Sequence, residues 1–184
     1  MLFLILLFVV LAIWAVILFN SLVRLRNQRQ NSFADMDVLL KQRHDLIPQL
    51  VSTVKGYAIH EKSLLQNITE ARSTAMNAKS IAEKIVSEQQ LSSALAGLKI
   101  ALEAYPDLKA DQTFLNLQAT LNEIEEKLAA GRRFFNKSTT EYNNAVESFP
   151  SNLLAQNFGF SREVLFDLGP EQRETLEETP KIDF

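Results

Sequence analysis

Both histidines of the chain, His44 and His60, fall in one short stretch, DVLLKQRHDLIPQLVSTVKGYAIHE, residues 37–61. Asp37, Asp45 and Glu61 share it, and Asp35 stands just before it. Imidazole with carboxylates is the material of zinc sites and of general acid–base pairs. His60-Glu61 matches the opening of H-E-x-x-H, but Leu64 occupies the place of the second histidine. On a straight helix His44 and His60 stand about 24 Å apart, at ~1.5 Å per residue. One metal ion cannot bridge them unless the chain folds back between them. Other chemistry is poorly supplied. The sequence has no cysteine, hence no thiolate nucleophile and no Cys-ligated zinc. It has no G-x-S-x-G, no G-x-x-x-x-G-K-[ST] and no G-x-G-x-x-G. The expectation is a protein without catalytic, cofactor-binding or metal-binding residues. A weak enzyme using His44 or His60 is the least favoured reading.

The elements that position these residues are helical. Glycine and proline are scarce, five each, and strand-like alternation is absent, so the composition predicts an all-α protein. A net charge of −3 gives no reason to expect nucleic acid as a partner.

Residues 1–19, MLFLILLFVVLAIWAVILF, carry no charged side chain. At ~1.5 Å per residue they reach roughly 28 Å, enough to cross a bilayer. They lack the basic n-region and small-x-small site of a cleaved signal, so a retained transmembrane anchor is predicted. Arg24, Arg26 and Arg29 follow. By the positive-inside rule they place the N-terminus outside and the rest in the cytoplasm, and they can hold anionic headgroups.

A seven-residue period then begins. Phe33, Leu40, Ile47, Val54, Ile68 and Ala75 form one set, with Glu61 in the remaining place. Met36, Leu50, Tyr57, Leu64 and Ala71 form a second, interrupted by Arg43. The pattern predicts one amphipathic helix, continuous with the anchor and packed in a bundle or coiled coil. Pro48 predicts a kink in it, and Gly56 a close approach by another helix. For Arg43 and Glu61, two readings stand equally. Each is either a buried seam charge that sets register or partner choice, or an edge residue snorkelling to water. Asp37, Lys41 and Asp45, four apart, suit exposed ion pairs.

A second helix is expected over Ile81–Ala104, ended by Tyr105-Pro106. A third is expected from an Asp111 N-cap to just before Pro150. FPSNLLAQNFGFSREVLFDL is expected to pack back on the bundle; an exposed docking patch at Phe158 and Phe160 is the alternative. The domain reading is an anchor at 1–19, a bundle of three to four antiparallel helices at 20–168, and a charged, disordered tail at 169–184.

Several stretches carry a family resemblance: FNSLVRLRNQ, DMDVLLKQRHDLIPQLVSTVKGYAIHE, EARSTA, YPDLKADQTFLNLQATLNEIEEKLAAGRRFFN and FPSNLLAQNFGF. Through them the chain resembles the LemA family of bacterial membrane proteins, from Phe19 to Phe160. Gln42, Gln49 and Phe135 are small departures, standing where a basic residue, asparagine and tyrosine are usual. The resemblance implies an anchored helical bundle at the bacterial cytoplasmic (inner) membrane, with no catalytic residue. The expected function is a non-enzymatic scaffold or assembly protein that binds itself or other membrane proteins. Its expected partners are the lipid bilayer, further copies of itself and another membrane protein such as a protease. The alternative is a regulatory partner of a membrane metalloprotease or envelope-stress system. Arg43, Pro48, Gly56, Glu61, Phe158 and Phe160 are the candidate partner or register contacts.

Overall fold

A computed structural model of the chain describes residues 1–166; the tail expected at 169–184 lies outside them. The described residues are helical, with no strand among them. The elements are α1 (Leu2–Lys55), a 3-10 turn (Ile59–Glu61), α2 (Lys62–Asn77), α3 (Ile81–Ala101), a 3-10 turn (Leu102–Ala104), α4 (Pro106–Ala110), α5 (Gln112–Glu147) and α6 (Ser151–Asn157).

α1 joins the apolar segment and the first bundle helix in 54 uninterrupted residues, through Pro48. Its N-terminal part is long and apolar enough to cross a membrane and is unburied by the protein. The predicted continuation to Ala75 fails at Gly56. There the Val54 carbonyl accepts from both Tyr57 and Ala58, at 3.0 and 2.8 Å, and the chain turns. The reason is local: Gly56 has the least helix propensity after proline. Ile68 and Ala75 are buried, but on α2.

The remaining boundaries follow local chemistry. Ser80 caps α3 in a capping box: its Oγ accepts from Glu83 N at 3.1 Å, while the Glu83 carboxylate accepts from Ser80 N. Asp111 caps α5, its Oδ1 accepting from Phe114 N at 2.8 Å. Pro106 does more than end a helix; it starts α4 at the first helical position.

Contacts divide the chain into two compact units. Met1–Val38 and Leu128–Leu165 form the first. Within it Leu22, Phe33 and Met36 of α1 meet Tyr142, Phe135 and Gly131 of α5 respectively. The opposite order makes the two helices antiparallel. A Cβ on Gly131 would lie 3.5 Å from Met36 Cγ. α6 closes this unit through Ala155 and Phe160, which join the Leu22–Tyr142 core. Gly159, at φ +73°, reverses the chain after α6, and Phe160 N donates back to Ala155 O at 3.0 Å. That is a Schellman end, and it needs glycine at this position.

The second unit is built on Leu39–Lys127. α2 and α3 pack against each other, and a core of Ile47, Leu50, Val54, Ile68, Leu91 and Leu98 joins them to α1.

Candidate functional site

The second unit buries a group of charges. Arg43, on the seam of α1, is completely buried. Its Nη2 donates to Glu88 Oε2 of α3; its Nη1 donates to Glu125 Oε1 of α5 at 2.7 Å and to Ser92 Oγ of α3 at 3.0 Å. The other Glu88 oxygen, Oε1, lies 2.6 Å from His44 Nε2. Glu88 is 2% exposed, whereas the Glu125 side chain is 36% exposed and reaches water.

Burial, the largest influence on the Glu88 carboxyl, pushes its pKa up. The hydrogen bond from His44 and the charge of Arg43 together outweigh it and hold the group below the usual carboxylate range. Glu88 is therefore an anion at neutral pH, and His44 Nε2 carries the proton of their shared bond. A carboxylate held down in this way is a weak base and a strong charge partner. With Arg43 it links side chains of α1, α3 and α5 by hydrogen bonds. Among the described residues no group of three or more His, Cys, Asp or Glu is placed to hold a metal ion.

Beside this network Pro48 has a definite consequence. It has no N–H, so the His44 carbonyl four residues earlier loses its helical donor. Arg72 of α2 supplies one: its Nε donates to His44 O at 2.7 Å. Proline, histidine and two arginines thus form one connected set, in which His44 gives its ring to Glu88 and its carbonyl to Arg72.

The other candidate residues fall elsewhere. Glu61 is half-buried and accepts from Tyr105 Oη at 3.2 Å. Among the described residues Gly56 meets no other helix; only the Thr53 carbonyl of its own turn lies within 4 Å of where a Cβ would be, so the close-approach expectation is corrected. Arg24 is exposed and Arg26 half-buried. Arg29 departs from the headgroup expectation. It is buried, with its guanidinium 5.1 Å over the Phe135 ring and 3.1 Å from Glu163, because its seam position points into the first unit. Phe160 is likewise buried in its own unit, placed there by the turn at Gly159, and is not free for a partner; Phe158 remains exposed.

Compared with known proteins, residues 32–184 match the LemA family. The chain belongs to the LemA family. Protein LemA of Metamycoplasma hominis is 26% identical over 155 residues, covering 84% of this chain and 71% of the relative. The magnetosome protein MamQ of Magnetospirillum gryphiswaldense is 23% identical over 178 residues, covering 83% of this chain and 65% of the relative. The magnetosome protein MamQ 2 of Paramagnetospirillum magneticum matches to the same extent. The chain thus spans slightly under two thirds of the MamQ proteins.

Two stretches that carry the LemA resemblance, DMDVLLKQRHDLIPQLVSTVKGYAIHE and EARSTA, meet where Arg72 bonds the His44 carbonyl. Sequence reading missed Arg72, Glu88, Ser92 and Glu125. One signal was present: Glu88 falls three residues after Ile85 and three before Leu91, on the apolar stripe of α3. A carboxylate there must be buried, so it needs a cation. A second signal was the seven-residue register itself, which extends backwards from Met36 through Arg29 to Leu22, both buried.

Proposed function

We propose that this LemA-family chain is a membrane-anchored scaffold that binds further copies of itself or other membrane proteins. One observation carries the proposal: the exposed, membrane-length apolar segment and the charge-locked bundle residues lie on the same unbroken helix, α1. A helix fixed at one end by Arg43 and its partners, and unburied at the other, suits holding partners at a bilayer. The bundle faces the cytoplasm in this reading. The positive-inside rule acts during insertion, before folding covers Arg29, so Arg24, Arg26 and Arg29 all contribute.

Native mass spectrometry of detergent-extracted protein is expected to show a homo-oligomer or a co-purifying membrane protein. A strict monomer with nothing bound would overturn the scaffold reading. A reporter fused after Phe184 is expected to be active in the cytoplasm; an extracytoplasmic signal would reverse the orientation. Regulation of a membrane metalloprotease, suggested by the resemblance alone, is the version in which the co-purifying protein is that protease.

A further inference from the structure

The apolar segment of α1 ends at Phe19, and the first unit brings other apolar side chains to that residue. The Phe19 ring meets Phe158 edge-on at 5.1 Å and Phe160 at 5.7 Å. Phe19, Val23 and Leu25 pack with Leu154, Ala155 and Val146 around Leu22, which ties α6 to the level of residues 19–25. Phe160 is consumed by this packing. Three large neighbours are not: Phe149 is 78% exposed, Leu153 55% and Phe158 59%.

Depth on α1 is set by length. Leu2 to Phe19 reaches about 27 Å at ~1.5 Å per residue, close to a hydrocarbon core of about 30 Å. If this segment spans, Phe19 stands at the boundary of acyl chains and headgroups, and whatever touches Phe19 stands there too. We propose that α6, with Phe149, Leu153 and Phe158, forms an interfacial foot that dips into the bilayer beside the anchor. The proposal rests on the anchor reading of residues 2–19. The occupant of the patch is lipid because the patch is continuous with the anchor through the Phe19–Phe158 contact. The charges agree. Arg24 is exposed, and the Arg26 guanidinium lies 4.9 Å over the Phe160 ring. Cations and aromatic rings at one depth suit the headgroup layer, where a ring is half out of water and a cation meets phosphate. A lone spanning helix leaves its unit free to rotate about the helix axis. A second contact at the interface fixes that rotation.

The chain has no cysteine and a single tryptophan, Trp14, inside the apolar segment. Full-length Leu153→Cys, Phe158→Cys and, as an exposed control, Lys41→Cys would each be labelled with the fluorophore NBD. Each would be reconstituted in phosphatidylcholine–phosphatidylglycerol vesicles with and without brominated lipids, and Trp14 would be read in the same vesicles. The expected result is quenching of Trp14 and of the labels at 153 and 158, with blue-shifted label emission. Both label effects should be lost at 41. Quenched Trp14 with water-like labels at 153 and 158 would overturn the foot and leave the anchor standing. Unquenched Trp14 would overturn both. Blue-shifted labels that brominated lipid does not quench, with energy transfer between labelled chains, would show a second copy on the patch and overturn the lipid assignment.

Discussion

Arg29 and Arg43 stand two heptads apart on α1, one in each unit, and both are buried. Their surroundings differ. Arg29 rests on the Phe135 ring, and its one acidic partner, Glu163, is 40% exposed. Burial, the largest influence, lowers the Arg29 pKa, and Glu163 and Tyr142 oppose it. Arg43 meets two carboxylates and a hydroxyl, and one of those carboxylates, Glu88, is as buried as itself. Replacing the same side chain at the same seam position should therefore cost little in one unit and much in the other. What decides is whether the carboxylate left behind can reach water.

The largest effect is expected at Arg43. Arg43→Met strands Glu88 without a full counter-charge and should cost about 3–5 kcal/mol, the usual cost of breaking a buried ion pair from one side. Guanidinium unfolding of the detergent-solubilised chain measures it. Adding Glu88→Leu to that variant removes the stranded charge and should recover a large part of the loss.

Glu88→Gln should cost about 1.5–3 kcal/mol at neutral pH, the range for hydrogen bonds to a charged group. Its pH profile sharpens the point. The folded Glu88 pKa lies below its unfolded value, which is about 4.3. Its contribution is therefore fully present above that value and is lost as pH falls through the lower folded one. The stability gap between wild type and Glu88→Gln should narrow below about pH 4. A gap that does not narrow there would contradict the charge assignment.

Arg72→Met should cost about 1–2 kcal/mol by leaving the His44 carbonyl without a donor. Pro48→Ala returns a backbone N–H to that carbonyl, so the Arg72→Met cost should shrink in the Pro48→Ala background. Additive losses would mean that the two residues are not coupled through His44.

Arg29→Met gives the smallest expected effect, within about 1 kcal/mol. Methionine keeps the packing on Phe135, and Glu163 hydrates. A loss at Arg29 equal to that at Arg43 would break the comparison.

The helices were legible because their signals are local. The apolar run, the seven-residue period, the Asp111 cap and the Tyr105-Pro106 break each act over a few residues. Gly56 was misread because a helical glycine gives one signal for two outcomes, close packing and helix termination. Phe158 and Phe160, two residues apart, were read alike, yet the turn at Gly159 buries one and leaves the other exposed. Arg43 was flagged as a seam charge, but its partners lie 45 and 82 residues away at Glu88 and Glu125. No local pattern names a partner at that distance.

By itself, then, the sequence determined an apolar segment long enough for a membrane, a helical bundle and a charge at a stripe position, whose burial it left open. Periodicity and hydropathy are properties of neighbours along the chain. Only the tertiary structure decided which carboxylate meets Arg43, that Arg72 takes the carbonyl freed by Pro48, and that α6 lies against Phe19. Those outcomes depend on which helices pack together, and a buried charge or an orphaned carbonyl is satisfied only by what packing brings to it.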